Sequence, residues 1–473
     1  MAAPSGFDPS TIGRRQPIDV VLHPFRRFMR FEAAGGIMLL VATAIALVWA
    51  NSPYAQSYLD LWHHTKFTIG LGGFELSKDL VHWINDLLMA VFFLVVGLEI
   101  KREMLVGELA SPKRAAVPII AAIGGMVVPG AIYALFNLGQ PTFRGWGVPM
   151  ATDIAFALGV LAILGRRVPL SLRVFLASLA IIDDLGALLV IAIFYTDEIN
   201  MTALLIALAL VVVLAGHNAL GVRRAHPYAL IGLLVWYALY ESGVHSTIAG
   251  VLVAMTIPAR TRINGQEFLD ATRRRLDHFE RAGDHDESVV TNVAQQADLT
   301  IIETLCQHVQ TPLQRLEHSL VPWVSFLIVP IFALANAGVA FAGGGDHGEA
   351  GGDPAHSITA GLTGGVGLGI AAGLVLGKPL GIALATWLAL RSGIGVLPPD
   401  ISRRHFLGMA CLGGIGFTMS LFIAQLAFIN PNDLAAAKIA VLGASAIAGV
   451  IGFVILRTGA PAPEPANGSP SDR

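Results

Sequence analysis

The sequence has few charged residues and few cysteines. Of its 473 residues 14% are charged and 54% are hydrophobic. A soluble domain carries about 25% charged residues, so this composition indicates a membrane protein. The two cysteines, Cys306 and Cys411, lie far apart and lack metal-ligand spacing, which argues against a disulfide framework and a cysteine metal centre. No phosphate-binding loop is present to suggest that ATP drives the protein. We expect no cofactor and no nucleic-acid partner.

Long apolar runs occupy most of the chain. A membrane-spanning helix needs about 20 mainly apolar residues. The basic N-terminal segment is longer than that of a cleaved signal peptide, so the first run is interpreted as an uncleaved span. The sequence predicts an all-α integral membrane protein with about twelve spans, near residues 32–50, 80–100, 115–137, 147–164, 172–195, 201–216, 227–240, 244–258, 321–341, 361–390, 405–428 and 434–456.

Basic residues are concentrated in every second connection between the spans. The remaining connections hold only Lys66, Lys78 and Arg144. The positive-inside rule therefore predicts that both termini are cytoplasmic. The expected organisation is a cytoplasmic N-terminal segment (1–30), spans one to eight (31–258), a cytoplasmic insertion (259–320), spans nine to twelve (321–457) and a disordered cytoplasmic tail (458–473).

Two connections predict structure of their own. Residues 65–78 alternate apolar and polar side chains around Gly72-Gly73, a pattern typical of a small β-hairpin, here on the outer side. An isolated hairpin is only marginally stable, so we expect it to pair with another element or a second subunit. Insertion 259–320 has apolar residues at helical spacing, which predicts a pair of amphipathic surface helices.

Asp183 and Asp184 lie in the middle of an apolar run, residues 176–194. A charge at the membrane centre costs about 2.5–3.5 kcal/mol on insertion scales, and it therefore marks a candidate functional site. Asp153 and Lys378 also lie well inside spans, whereas Lys438 is near a span end and is expected to reach the membrane interface. Three acids and one lysine are unbalanced, so at least one acid must be protonated or hold a cation.

The adjacent acids suggest a site that accepts either protons or a cation. A buried carboxylate with a like-charged neighbour exchanges protons nearer neutral pH than an isolated one. The same oxygens suit a hard cation such as Na⁺ or Li⁺. Competition at a site with alternating access would give antiport. Adjacent helical residues point about 100° apart, so we expect one acid to face the cation while the other pairs with Lys378.

Two spans contain helix-breaking clusters. Gly147-Val-Pro149 precedes Thr152-Asp153, and Gly413-Gly414-Ile415-Gly416 precedes Thr418. Such clusters in corresponding halves point to inverted-topology repeats, two discontinuous crossing helices and a midplane site. Asp153 would offset the positive half-helix ends and Lys378 the negative ones. The alternative is that these glycines only permit close helix packing.

The assembled motifs resemble bacterial sodium/proton antiporters of the NhaA type. The matching stretches cover most of the chain between residues 20 and 457 and include Phe92-Phe-Leu-Val-Val-Gly-Leu-Glu-Ile-Lys-Arg-Glu103, Ala151-Thr-Asp-Ile-Ala-Phe156, Ala180-Ile-Ile-Asp-Asp-Leu-Gly186, Ser242-Gly-Val-His-Ser-Thr-Ile-Ala-Gly250, Gly377-Lys-Pro-Leu-Gly381 and Gly413-Gly-Ile-Gly-Phe-Thr-Met-Ser420. The insertion 259–320 is longer than in the shorter members of that family.

The resemblance implies a role for each matching residue. Asp184 would be the principal cation and proton carboxylate, and Asp183 the partner of Lys378. The unwound segments would contain Thr152 and Asp153 in one helix and Gly414, Gly416 and Thr418 in the other. The residues implied in the pH response are Glu99, Arg102, His245, Glu317 and His318, the last two just before span nine.

The resemblance also implies the physiology. It implies a multi-pass protein of the bacterial inner membrane, surrounded by lipid and commonly dimeric through the outer hairpin. It would be an electrogenic antiporter that exchanges Na⁺ or Li⁺ for a larger number of protons, is regulated by pH and serves pH homeostasis.

Three other functions are weaker alternatives. A sodium-coupled organic-anion symporter of related architecture should lack a lysine facing the acids. A channel is a weaker alternative, because titratable acids on discontinuous helices are typical of a gated carrier. Gly343-Gly-Gly-Asp346 matches an intramembrane aspartyl protease motif, but Asp183 and Asp184 on one turn cannot flank a scissile bond from two helices. We therefore expect a secondary transporter and not an enzyme.

Overall fold

Helices form nearly all of the regular structure. The computed structural model describes residues 34–72, 74–196, 199–283, 292–339 and 362–459. The predicted N-terminal segment 1–30, the motif at residues 343–346 and all but the first two residues of the predicted tail 458–473 lie outside the described residues.

The helices are numbered in chain order. Three of them, α3, α12 and α13, each contain one π-helical turn, at Ile84–Leu88, Val324–Ile328 and Gly373–Gly377. A 3-10 segment, Pro141–Met150, leads into α5. The helices are α1 (Ala34–Ala50), α2 (Ala55–Leu59), α3 (Leu80–Val106), α4 (Pro112–Phe136), α5 (Ile154–Leu164), α6 (Leu170–Phe194), α7 (Met201–Ala219), α8 (Ala225–Glu241), α9 (Ile248–Thr256), α10 (Gly265–Arg281), α11 (Val293–Val309), α12 (Pro312–Asn336), α13 (Gly365–Arg391), α14 (Arg403–Leu412), α15 (Phe417–Ala427) and α16 (Pro431–Thr458).

The helix lengths agree with a membrane-spanning protein. Within the described ranges, eight helical segments are long and apolar enough to cross a membrane, and the bent pair α14–α15 makes a ninth. The shorter helices α1, α8 and α9 coincide with the three remaining predicted spans. Each predicted span therefore contains a helix, and the all-α membrane fold is confirmed.

The outer hairpin is also confirmed. Strand β1 (Lys66–Leu71) pairs antiparallel with β2 (Phe74–Asp79), with Lys66 opposite Asp79. The turn uses Gly72 with a φ of +62°, a conformation that glycine adopts without steric penalty. The Trp83 indole N–H donates to the Phe67 carbonyl over 2.9 Å, which ties the hairpin to the start of α3.

The insertion contains the predicted helix pair, α10 and α11. Span nine begins earlier than predicted, however, because its helix starts at Pro312 and not near residue 321. Thr311 and Gln314 form a capping box there, and Pro312 at the first helical position has no N–H to satisfy. Glu317 and His318 consequently belong to α12 itself, which corrects their expected position before the span.

Close packing between α4 and α13 brings Lys378 towards the centre of the protein. A Cβ added at Gly381 would overlap the backbone carbonyl of Gly124, so these two helices touch through their backbones. Small residues permit this approach in membrane proteins, where packing and not the hydrophobic effect joins helices. Helix α6, which carries the two adjacent acids, packs against the same helix α4.

Candidate functional site

Two helical segments are interrupted where they cross. Residues 151–153 separate the 3-10 segment from α5, and residues 413–416 separate α14 from α15. The Asp153 N–H donates to the Ile415 carbonyl over 2.6 Å, so the two interruptions are in contact. The Ser420 hydroxyl donates to the Val148 carbonyl over 2.7 Å and adds a second contact. The predicted pair of discontinuous crossing helices is confirmed.

Asp153 binds the N-terminal ends of both half-helices. Its Oδ1 accepts from the Phe156 N–H over 3.0 Å at the start of α5. Its Oδ2 accepts from the Thr418 N–H over 3.2 Å and from the Thr418 hydroxyl over 2.6 Å at the start of α15. Helix N-termini carry partial positive charge, so one buried carboxylate stabilises two of them. This is the arrangement that the sequence argument expected for Asp153.

Lys378 is fully buried and faces one backbone carbonyl and one carboxylate. Its ammonium donates to the carbonyl of Met150, the last residue of the 3-10 segment, and to Asp183 Oδ2. The Thr152 hydroxyl oxygen lies 2.6 Å from the same Asp183 oxygen and 2.9 Å from the Gly413 carbonyl. Lys378 thus lies at the negative end of a half-helix and pairs with Asp183. The charge balance predicts that Lys378 pairs with one of the two adjacent acids, and the resemblance implies that this acid is Asp183.

Asp184 has very different surroundings from Asp183. Its side chain is only 2% exposed. Among the residues that the structure describes, no hydrogen-bond donor meets its Oδ1. A buried, ionised carboxylate without a partner is costly, so Asp184 requires either a proton or a cation.

A resident metal centre is not indicated at this position. Within the described part of the chain, no group of three or more His, Cys, Asp and Glu side chains could hold a metal ion.

An aromatic cluster lies between the crossing and the outer ends of the helices. Phe422 follows Thr418 by four residues on α15. Its ring centre lies 5.9 Å from that of Phe93, 6.2 Å from that of Phe332 and 6.3 Å from that of His245. These side chains occupy the space directly outward of the crossing.

The residues expected to respond to pH do not form one group. Arg102 pairs with Glu317 of α12 and with Glu103, the latter over 3.3 Å. Glu99 precedes Arg102 by one helical turn, and His318 is exposed beside Glu317.

His245 is separate from Arg102 and Glu317. Its contact with Phe422 puts it at the level of Phe93, and Arg102 follows Phe93 by nine residues on the same helix. Nine helical residues span about 14 Å. The structure therefore brings Arg102 and Glu317 together and leaves His245 with the aromatic cluster.

Sequence reasoning missed some polar residues and misjudged one. Lys438 is buried, with 7% exposure, although the sequence predicts a side chain that reaches the membrane interface. Three amide side chains, Asn85, Asn336 and Gln425, bond to one another at the outer ends of three helices; we call them the amide triad. The available signal was an uncharged amide near the end of an apolar run, which is common in membrane proteins and points to no partner.

The chain was compared with known proteins. It matches the family model described as Na+/H+ antiporter 1 over residues 26–456. It is 50% identical to the Na(+)/H(+) antiporter NhaA of Oleidesulfovibrio alaskensis over 442 residues, which cover 93% of this chain and 95% of that protein. It is 48% identical to the protein of the same name from Koribacter versatilis over 450 residues, which cover 95% and 94%. The Na(+)/H(+) antiporter NhaA 1 of Saccharophagus degradans is 47% identical over 437 residues, which cover 92% and 91%.

Proposed function

The chain belongs to the Na+/H+ antiporter 1 family, and from this premise we propose that it expels Na⁺, and also Li⁺, in exchange for protons by alternating access at Asp184. It would act in the bacterial inner membrane with both termini in the cytoplasm and serve pH homeostasis. The observation that carries the proposal is the contrast between the two adjacent acids. Asp183 Oδ2 has an ion-pair partner in Lys378. Among the described residues, Asp183 Oδ1 and Asp184 Oδ1 are both buried without a hydrogen-bond partner, and Asp184 has no ion pair.

Asp184 binds either a proton or a cation, but not both. The ionised carboxylate needs a counter-charge in this buried position, and either species supplies it. Arrival of Na⁺ therefore displaces the proton, and arrival of a proton displaces Na⁺. Coupling follows from this competition once the site faces the two sides of the membrane alternately.

The Asp183–Lys378 pair offers a second exchangeable proton. A cation bound between Asp183 and Asp184 competes with the Lys378 ammonium for Asp183 Oδ2. An ammonium that loses its carboxylate partner in a buried site gives up its proton more readily. One cation could then displace two protons, which would make exchange electrogenic. Asp153 and Thr152 supply the electrostatic setting and the fixed geometry.

The cytoplasmic cluster is proposed to regulate this exchange. Glu99, Arg102, Glu317 and His318 include acids, a base and a histidine near the inner ends of α3 and α12. Changes in the protonation of the acids Glu99 and Glu317 would alter the contact between these two helices, because Arg102 stays charged. His245, in the aromatic cluster, would contribute from the other side of the site. The outer hairpin is the proposed contact of a homodimer.

Proton movement in everted vesicles tests the proposal. In the wild-type protein, added Na⁺ should dissipate a preformed pH gradient. Asp184→Asn should abolish this response, because an amide cannot exchange a proton or neutralise the cation. Asp277→Asn, the same change on the exposed face of α10, should retain it.

Two results would contradict the proposal. Full Na⁺-dependent proton movement in Asp184→Asn would reject the site assignment. Na⁺-coupled uptake of an organic anion, without proton exchange, would favour the symporter alternative.

A further inference from the structure

The amide triad joins three helices through their side chains. The Asn85 amide N–H group donates to Gln425 Oε1, and the Gln425 amide donates to Asn336 Oδ1. The Asn336 amide donates to Asn85 Oδ1 over 2.8 Å and to the Phe332 carbonyl over 2.9 Å. Asn336 is fully buried and the other two are partly buried. Each amide therefore bonds to both of the others.

The triad lies on the outer side of the candidate site. Asn85 is near the start of α3, directly after the outer hairpin, and Asn336 ends α12. Gln425 follows Thr418 by seven residues, which is close to two helical turns. Gln425 therefore lies on the same face of α15 as Thr418, about 10 Å further outward. A cation that moved outward from the acids along this face would reach the triad.

The triad connects α15, a helix of the site, to α3 and α12, which contain none of Asp153, Asp183 and Asp184. Gln425 belongs to α15, whose N-terminus is bound by Asp153. The other two amides belong to α3 and α12, which touch each other near the cytoplasm through Arg102 and Glu317. The hydrogen bonds of Gln425 therefore form only while the outer end of α15 rests against α3 and α12.

We propose that the amide triad is a latch that holds the outer exit of the cation path closed, with Gln425 as the part that separates when the site opens outward. This inference rests on the proposed alternating-access antiport. Uncharged amides suit the task, because their mutual bonds can be exchanged for bonds to water at little net cost. When these bonds separate, no charged side chain is exposed in the path of the cation.

Loss of the latch has a directional consequence. The triad stabilises only the state that is closed to the outside, so its loss increases the population that is open to the outside. Apparent affinity scales with the fraction of molecules that can bind from that side. The half-saturating Na⁺ concentration should therefore fall on the outer face and rise on the cytoplasmic face.

Gln425→Leu in proteoliposomes of known orientation tests this prediction. The change removes two hydrogen bonds while keeping a side chain of similar size, and each neutral bond shifts a population by roughly two- to tenfold. We expect the two half-saturating Na⁺ concentrations to move in opposite directions, so that their ratio changes by about fourfold or more. Gln56→Leu is the matched control, because the Gln56 amide donates to Asp60, the residue that directly follows α2, and joins no second spanning helix within the described part of the chain.

The possible results distinguish a failure of the proposed latch from a failure of the proposed antiport. Shifts of the two concentrations in the same direction, or unchanged values with a lower maximal rate, would reject the latch. Absence of Na⁺-dependent proton movement in the wild-type protein would reject the proposed function instead.

Cross-linking gives an answer that does not depend on the folding of Gln425→Leu. Asn85→Cys and Gln425→Cys are combined in a protein with Cys306→Ser and Cys411→Ala, and are joined by a short, reducible thiol reagent. Exchange should stop when the cross-link forms and recover after reduction, while each single cysteine variant should be unaffected by the reagent. Undiminished exchange in fully cross-linked protein would overturn the proposal.

Discussion

Adjacent carboxylates in α6 illustrate how one helical step changes the role of a residue. Asp183 faces Lys378 and Thr152, whereas Asp184 Oδ1 faces no donor among the described residues. The angle of about 100° between neighbouring positions makes this separation possible. In the same low-dielectric interior, the charge of Asp183 is stabilised by Lys378, whereas the charge of Asp184 depends on the proton or cation that it binds.

Lys378→Met provides a stability test at this scale. Removing one partner of a buried ion pair typically costs about 3–5 kcal/mol, because the other charge is left uncompensated. We expect a lower thermal midpoint for the detergent-solubilised protein. The double variant Asp183→Asn with Lys378→Met should recover much of the loss, because it removes both charges. Lys113→Met, at an exposed lysine, is the control. A double variant less stable than Lys378→Met would contradict this explanation.

Charge balance predicted more of the site than hydropathy did. Three buried acids and one lysine were enough to expect that one of the two adjacent acids pairs with Lys378, and the resemblance to the antiporter family implied that this acid is Asp183. The broken helices indicated the capping role of Asp153. The Met150 carbonyl was not foreseeable, because every residue has a carbonyl and only the fold selects one. The amide triad was missed because Asn85 and Gln425 are 340 positions apart and neutral amides do not reveal their partners.

Element boundaries were predicted well where glycines break a helix and less well where a cap begins one. The interruption at residues 413–416 coincides with the glycine cluster of the sequence. Helix α12 instead starts nine residues before the predicted apolar span. Hydropathy detects only the part of a helix that suits lipid, whereas Thr311 and Pro312 define where the helix itself starts.

The insertion helices offer a pH test outside the membrane. Asp298 on α11 accepts a hydrogen bond from His278 and lies 3.4 Å from an Arg275 nitrogen, both on α10. The hydrogen bond from His278 is the largest cause that lowers the pKa of Asp298 below its usual value. A lowered pKa contributes stability above the ordinary value of about 3.9, and this contribution is lost as pH falls through the lower folded value. It is therefore present at neutral pH.

Asp298→Ala should loosen the α10–α11 pair at both pH 6.5 and pH 8.5. We expect faster tryptic cleavage within α10 at both pH values, with Na⁺/H⁺ exchange and its pH midpoint unchanged. Limited proteolysis of reconstituted protein measures the first effect and vesicle assays the second. Asp277→Ala, at an exposed position of the same helix, controls for the loss of an acid. A cleavage difference that appears at only one of the two pH values would contradict the assigned cause.

At the scale of the whole molecule, the sequence predicted the architecture because lipid imposes strong constraints. Every span must satisfy its backbone hydrogen bonds internally, so apolar runs in such a chain become helices. The outer hairpin was equally readable from its alternating pattern. How the helices cross depends instead on close contacts such as Gly124 against Gly381, and residue spacing alone does not specify which helix meets which.

The orientation of the molecule can be tested with its own cysteines. The asymmetric distribution of Lys and Arg predicts that the insertion is cytoplasmic. Cys306 lies in this insertion and is exposed, whereas Cys411 is buried in α14. A membrane-impermeant maleimide should therefore label the protein in everted vesicles and leave it unlabelled in intact cells.

The two cysteines also provide the control for that experiment. Cys306→Ser should abolish labelling in everted vesicles, whereas Cys411→Ala should not change it. Labelling of Cys306 in intact cells would show that every helix has the opposite orientation in the membrane. The end of α15 that carries Gln425 would then face the cytoplasm, and the proposed latch would close the cytoplasmic side. The labelling result thus determines which face of the membrane the aromatic cluster and the amide triad close.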